Sequence, residues 1–170
     1  MSNLYFMTLG HQQKLNKEIV SVLNQSAMPY YSKEMLRKLT FDDFLAEKML
    51  MISLIRIGVP YSLFELIKGF SPFSDDEWTE ILNISSKTLQ RYSQDAKHFF
   101  KPIQSEKIIE IAEVSRLGQD VFGDNERFKA WLNTPNYALG NQLPLELLKD
   151  SYGKELVMNE LVRINYGILS

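Results

Sequence analysis

The sequence predicts an all-α protein, because helix signals recur along its 170 residues while strand signals are scarce. Hydrophobic residues make up 45% and charged residues 24% of the chain, a composition typical of a folded domain. No Asn-Gly or Asp-Gly hairpin signal is present, and strict alternation of apolar and polar residues is rare. We expect roughly eight or nine short helices, joined by turns that contain glycine, proline or asparagine.

An apolar stripe predicts the first helix over residues 15–23, where four apolar residues share one face: Leu15, Ile19, Val22 and Leu23. The stretch from Pro29 to Ser32 is expected to break this helix and to join a loosely packed arm to the rest of the chain. A long apolar helix is then predicted from Asp42 or Asp43 to about Ile57, with Gly58 in the position that commonly follows a helix.

Serine residues predict the starts of the next helices. Ser62 with Glu65, and Ser74 with Glu77, have the spacing of a capping box, in which each side chain bonds the other residue's backbone amide. Ser86 is expected to begin a helix that carries Leu89 and Tyr92 inward. A further helix is predicted to begin at Ser105.

Glycine, aspartate and proline divide the last third of the chain. Gly123 is expected to end one helix and Asp124 to cap the next, while Pro144 suits the first position of a short helix. Gly140 and Gly153 are predicted to lie in turns, and a last helix is predicted from Gly153 to about Tyr166. Seven residues are expected in the core here: Trp131, Leu132, Leu145, Leu147, Leu148, Val157 and Leu161.

Composition excludes several kinds of chemistry. The chain has no cysteine, so disulfides, thiolate metal sites and a cysteine nucleophile are not possible. It has two histidines, His11 and His98, which is too few for a histidine-rich metal site. No apolar run of about 18 residues and no secretory signal is visible. We therefore expect a cytoplasmic protein without membrane span, metal or cofactor.

A helix-turn-helix unit is the first functional hypothesis, over residues 74 to 94. Asn83 stands in its turn where glycine is often found, and asparagine tolerates the left-handed conformation. The second helix of the unit would present Ser86, Lys87, Gln90 and Arg91 to the bases and phosphates of DNA, with Lys97 nearby. Five basic and two acidic residues between 86 and 107 give a local charge of +3 in a chain of net charge −2. The alternative is that these residues form the ordinary polar surface of a helical hairpin.

The C-terminal third carries a long ordered pattern of residues: Val121–Asp124, Ala130–Leu132, Thr134–Asn136, Leu139–Gly140, Pro144–Leu148, Gly153, Val157, Leu161, Arg163–Ile164 and Tyr166–Gly167. Over residues 105–168 it resembles the C-terminal toxin-binding domain of the Xre/MbcA/ParS antitoxin family. The resemblance continues upstream as an Xre-like helix-turn-helix region, through Ile57–Val59, Phe73–Ser74 and Ser86–Arg91. Asn141 stands where the family usually has glycine, and Asp150 where it often has threonine; asparagine can adopt the same left-handed turn.

This resemblance implies an Xre-like DNA-binding region (41–104) and a toxin-binding domain (105–170), and it does not cover the first 40 residues, which we expect to form an N-terminal arm of unknown role (1–40). It implies an antitoxin that neutralises a RES-domain toxin, which degrades or modifies NAD, by occluding its active site. It also implies a homodimer that binds its operator DNA and represses its own operon. The residues that it places at the toxin interface are Arg163, Tyr166, Gly167, Ile168 and Leu169.

Two alternatives remain open from the residues themselves. A helix-turn-helix transcriptional regulator without a cognate toxin would use the same DNA-facing residues. An enzyme would need catalytic groups, and Glu106, Glu110 and Glu113 have a spacing that places them on one side of a helix. Carboxylates in this pattern usually form a solvated face, and His98 is more typical of a loop or a phosphate contact. We therefore predict no catalytic residues.

Overall fold

The computed structural model describes residues 8–25 and 31–167 and confirms the all-α fold class. Within these residues the helices are α1 (Leu9–Asn24), α2 (Lys33–Arg37), α3 (Phe41–Ala46), α4 (Lys48–Ile57), α5 (Tyr61–Phe70), α6 (Asp75–Leu82), α7 (Ser86–Ser93), α8 (Pro102–Phe122), α9 (Asn125–Leu132), α10 (Pro144–Leu147) and α11 (Ser151–Asn165). A short 3-10 turn covers Tyr137–Leu139. The described ranges contain no strand, only isolated bridges of Pro60 with Phe99 and of Asn136 with Gln142.

The chain divides into two compact units. The N-terminal unit contains the described residues up to Gly69 together with Lys87–Ile109, and the C-terminal unit contains Phe70–Ser86 and residues 110–167. These units do not coincide with the ranges 1–40, 41–104 and 105–170, which stay a sequence-based prediction of functional regions. Among the described helices, none is both long and apolar enough to cross a membrane.

Helix α1 is packed, although the sequence suggested a loose arm. Leu15, Ile19 and Leu23 are fully buried, as their shared helical face predicted. The Asn16 side chain accepts a hydrogen bond from the Phe41 amide at 2.7 Å, which ties α1 to the start of α3. Apolar burial and this polar contact therefore make α1 part of the core of the N-terminal unit. The predicted break from Pro29 lies partly outside the described residues.

The predicted long helix from Asp42 to Ile57 is two helices. The backbone of Glu47 is extended (φ −109°, ψ 96°), which ends α3, and the Glu47 carboxylate accepts a hydrogen bond from the Met49 amide at the start of α4. The N-cap of α3 is Thr40, whose hydroxyl and amide both pair with Asp43 in a capping box. The apolar pattern correctly predicted helical structure here. It did not predict the break at Glu47, because the apolar residues keep their helical spacing across it.

Two predicted serine caps are wrong for the same reason. Ser62 lies inside α5, which begins at Tyr61, and its hydroxyl donates to Glu18 at 2.5 Å. Ser105 is buried inside α8, where its hydroxyl donates to the Phe100 carbonyl and accepts from the Val59 amide at 2.8 Å. In both cases a partner distant in sequence uses the hydroxyl that a local pattern assigned to a cap.

The caps of the C-terminal unit agree with the sequence. Ser74 and Glu77 form the predicted capping box, and Asp124 caps α9 by accepting from the Arg127 amide at 2.7 Å. Pro144 occupies the first turn of α10. Gly123 follows α8 with φ of +78°, a conformation that glycine adopts without strain.

Gly153 corrects the predicted start of the last helix. Helix α11 begins at Ser151, so Gly153 lies in its first turn and not in a preceding turn. A Cβ at this position would collide with the backbone carbonyl of Leu147 in α10. The glycine therefore permits close packing of α10 on α11. Of the predicted core residues, four are buried (Leu132, Leu148, Val157 and Leu161) and three are partly buried (Trp131, Leu145 and Leu147).

Candidate functional site

The turn between α6 and α7 has the conformation that the sequence indicated. Asn83 ends α6 in the left-handed region, with φ of 51° and ψ of 49°. The Ile84 amide donates to the Thr79 carbonyl at 3.0 Å, which closes the end of the helix. Asparagine therefore takes the place of the glycine often found at such a turn.

Helix α7 exposes the side chains that were predicted to contact DNA. All five predicted residues are solvent-exposed, four on the helix and one beyond it: Ser86, Lys87, Gln90, Arg91 and Lys97. Leu89 is buried and Tyr92 is partly buried, as predicted for the inward face. An exposed N-terminal turn with basic and amide side chains can reach phosphates and base edges, and contact with DNA stays a prediction.

The residues after α7 form an aromatic cluster within the N-terminal unit. The ring of His98 stacks on Tyr92 with 3.6 Å between centroids, and the Arg91 guanidinium lies 5.6 Å from the centre of the Tyr92 ring. Burial lowers the pKa of His98, and the nearby Arg91 charge lowers it further against the opposite effect of Asp95. His98 therefore belongs to a packed cluster and does not extend into solvent.

Helix α11 has two apolar faces, of which one is buried. Val157 and Leu161 are fully buried. On the other side Tyr152 is 87%, Leu156 51% and Tyr166 75% exposed. Together with Arg163, these residues are separated along the helix by four, seven and three positions. They therefore lie on one side of it. An aromatic and apolar surface of this kind suits a protein partner.

The residues predicted at the toxin interface lie at the end of this surface or beyond the described part of the chain. Arg163 is partly buried and pairs with Glu160 at 2.8 Å. Tyr166 and Gly167 are exposed, and Gly167 has φ of +67°. Ile168 and Leu169 lie outside the described residues. Sequence reasoning missed Tyr152 and Leu156. The signal that could have identified them is a second apolar stripe on the last helix, beside the one that is buried.

Ion pairs connect α6 to the later helices of the C-terminal unit. The Lys129 ammonium of α9 pairs with Glu77 and donates to the Pro72 carbonyl at 3.0 Å. Burial alone would raise the pKa of Glu77, but the hydrogen bonds from Lys129 and Ser74 and the Lys129 charge outweigh it, so that pKa lies below its usual value. Helix α6, the first helix of the helix-turn-helix, is thus anchored to α9 within the C-terminal unit.

Lys149, which follows α10, makes a second connection to α6. Its ammonium lies 2.7 Å from Glu146 and 2.9 Å from Glu80. Hydrogen bonds to these two carboxylates raise the pKa of Lys149 to about 12. Sequence patterns did not predict this pairing, because Glu80 and Lys149 are far apart in the chain.

The glutamates considered for catalysis do not form an assembled acid pair. Glu113 pairs with Lys154 of α11 at 2.6 Å, which makes it a structural residue. Glu106 is exposed on the surface of α8. Within residues 8–25 and 31–167 no group of three potential ligands is placed to hold a metal ion.

Together, the fold and these surfaces define a helical protein with a helix-turn-helix region and an exposed apolar face on its last helix. Two family models match the chain. The Antitoxin Xre-like helix-turn-helix domain covers residues 50–113, and the Antitoxin Xre/MbcA/ParS C-terminal toxin-binding domain covers residues 117–167. The chain belongs to the Xre/MbcA/ParS antitoxin family. It is therefore an antitoxin of a toxin-antitoxin system, in a family of regulatory proteins that are generally not enzymes.

Two curated relatives carry the name Antitoxin Xre. One, from Photorhabdus laumondii subsp. laumondii, is 28% identical over 121 residues, 69% of this chain and 80% of the relative. The other, from Yersinia enterocolitica serotype O:8, is 26% identical over 122 residues, 71% of this chain and 81% of the relative. A chain in the M. tuberculosis MbcT-MbcA toxin-antitoxin complex is 17% identical with a TM-score of 0.45, covering 71% of this chain and 95% of that one.

Proposed function

We propose that the chain neutralises a cognate RES-domain toxin, which degrades or modifies NAD, by occluding the toxin's active site with α11 and the residues that follow it. The proposal also assigns operator binding and repression of its own operon to α7. Family membership supports the two roles, and the resemblance to the Xre/MbcA/ParS pattern supports the RES class of toxin.

The observation that carries the toxin-binding role is the exposed face of α11. Tyr152, Leu156 and Tyr166 each expose more than half of their accessible surface on one side of the last helix. Aromatic side chains are enriched in protein interfaces because they bury a large area with few rotatable bonds. Arg163 lies on the same side, and the family resemblance assigns Ile168 and Leu169 to the same interface.

Operator binding is supported by the charge and exposure of α7. Neither Lys87 nor Lys97 has an ion pair within the described residues, so their charges are available to phosphates. Ser86, Gln90 and Arg91 can donate to base edges or phosphates from the same helix. Two half-sites are usually bound by paired helix-turn-helix modules, so we infer that the DNA-binding unit is a homodimer.

Co-expression with the protein encoded beside its gene tests the toxin-binding role. We expect the two proteins to copurify and the chain to restore growth and cellular NAD. Leu156→Asp should abolish copurification and rescue, since a carboxylate in an apolar interface costs on the order of 2 kcal/mol. Met49→Asp is the matched control, because Met49 is 52% exposed on α4 of the other unit.

Two outcomes would contradict this proposal. If Leu156→Asp rescues growth as well as Met49→Asp does, the exposed face of α11 is not the inhibitory surface. If the neighbouring protein does not copurify and has no effect on NAD, a helix-turn-helix regulator without a cognate toxin is the better description.

A further inference from the structure

The segment that follows α7 alternates between exposed and buried side chains. Lys97, Phe99 and Lys101 are exposed, while His98 is partly buried and Phe100 is 1% exposed. Lys97 lies in a turn, and the backbone becomes extended at Phe99, which forms an isolated antiparallel bridge with Pro60. We name Lys97, Phe99 and Lys101 the basic-aromatic strip.

The backbone of this segment is held in place by residues 58–61, which join α4 to α5. The His98 carbonyl accepts from the Tyr61 amide at 3.0 Å, and the Phe100 amide donates to the Val59 carbonyl at 2.9 Å. A Cβ on Gly58, which has φ of +99°, would lie 2.6 Å from the Phe100 carbonyl oxygen, so only glycine fits there. The strip is therefore presented by an ordered backbone.

The strip is also joined directly to the helix that we assign to DNA binding. The Arg91 guanidinium lies over Tyr92, and Tyr92 stacks on His98, the neighbour of Phe99. This contact orders the strip beside the C-terminal half of α7. The strip and Arg91 are thus linked through this stack within the N-terminal unit.

Charge and exposure indicate the kind of partner. Among the described residues neither Lys97 nor Lys101 has an ion pair, and Asp95 is the one acidic residue between positions 87 and 101. Phe99 is 44% exposed between the two lysines, whereas the adjacent Phe100 is fully packed. Cations that flank an exposed aromatic ring suit a polyanion with apolar sugars and bases.

We propose that the basic-aromatic strip is a second DNA contact, in which Lys97 and Lys101 bind phosphates flanking the α7 site and Phe99 packs on the sugars of the adjacent groove. This inference rests on the proposed binding of α7 to the operator. It extends the footprint of the helix-turn-helix beyond its second helix and adds Phe99 and Lys101 to the DNA-binding residues. A second copy of the chain covering Phe99 is the competing outcome.

Fluorescence anisotropy tests the inference with the full chain and a labelled duplex that carries the promoter region of its own gene. Lys101→Ala should weaken binding about fivefold and reduce the slope of log K against log salt by about 0.9, the value for one lost phosphate contact. Phe99→Ala should weaken binding about tenfold without changing that slope, because it carries no charge. Lys48→Ala is the control, since Lys48 is exposed on α4 without an ion pair in the described chain.

The outcomes separate the strip from the helix. In one outcome, replacing both Lys87 and Arg91 by alanine weakens DNA binding, but the strip variants Phe99→Ala and Lys101→Ala bind as the control Lys48→Ala does. The strip then makes no DNA contact, and the role of α7 stands. If the unmodified chain does not bind the duplex, both proposals fail. If light scattering shows that Phe99→Ala dissociates a dimer, the strip is an interface between copies and this inference is overturned. Thermal unfolding of each variant identifies any loss of folding.

Discussion

The outward faces of α7 and α11 differ in the side chains that they offer to a partner. Helix α7 exposes Lys87 and Arg91, while α11 exposes Tyr152, Leu156 and Tyr166. In the proposed complexes the first surface would gain binding energy mainly from charge, and the second from burial of apolar area. The two proposed surfaces should therefore respond differently to salt, because ions screen charges but hardly weaken apolar contact.

The largest effect is expected at Gly153, which permits α10 to pack on α11. Gly153→Ala places a methyl group against the Leu147 carbonyl, which cannot move without shifting the helix. We expect a loss of stability on the order of 3 kcal/mol in the C-terminal unit, measured by chemical unfolding. Toxin binding should fall with it.

Gly10→Ala provides the control for this change. Gly10 lies in the first turn of α1, where an added Cβ would meet only the Thr8 hydroxyl at 4.0 Å. This substitution should be neutral or slightly stabilising, because alanine has the higher helix propensity. Equal destabilisation by both variants would contradict the packing role assigned to Gly153.

A second test compares the two surfaces directly. Replacing Lys87 and Arg91 by alanine should weaken operator binding by about 2 kcal/mol, since phosphate and base contacts are lost. Added salt should weaken the DNA complex of the unmodified chain steeply and the toxin complex only slightly. Isothermal titration at two salt concentrations measures both. A toxin complex as salt-sensitive as the DNA complex would show that charge dominates at α11 as well.

The smallest effect concerns the pair of Glu77 with Lys129, which anchors α6. The pKa of Glu77 lies below its usual value of 4.5. The pair therefore stabilises the folded chain fully above pH 4.5, and this stabilisation disappears as the pH falls through the lowered pKa. Glu77→Gln should therefore cost roughly 1.5 kcal/mol at neutral pH and little in acid. Unfolding curves at several pH values measure this difference. Asp76→Asn is the control, on the exposed side of the same helix, and its effect on stability should not differ between neutral pH and acid.

The sequence predicted local features well because their causes are local. The capping box of Ser74 and Glu77, the cap at Asp124 and the left-handed Asn83 each depend on residues within a few positions. The same reasoning failed at Ser62 and Ser105. Their hydroxyls bond partners more than 40 residues away, Glu18 and Val59, and no local pattern contains that information.

The candidate surfaces were predicted unevenly for a similar reason. The exposed side chains of α7 followed from helical periodicity, since Leu89 and Tyr92 fix its inward face. On α11 periodicity was ambiguous, because Leu156 and Val157 are both apolar and lie on different sides of the helix. Only the packing against α10, made possible by Gly153, decides which side is buried.

The sequence by itself determined the all-α class, several helix ends and the antitoxin family, because caps, periodicity and ordered motifs are encoded along the chain. The tertiary structure decided which apolar residues remain for a partner and which ion pairs anchor α6. It also decided that Phe99 is exposed between two exposed lysines while Phe100 is buried. Burial and pairing depend on residues far apart in sequence, so only the folded chain determines them.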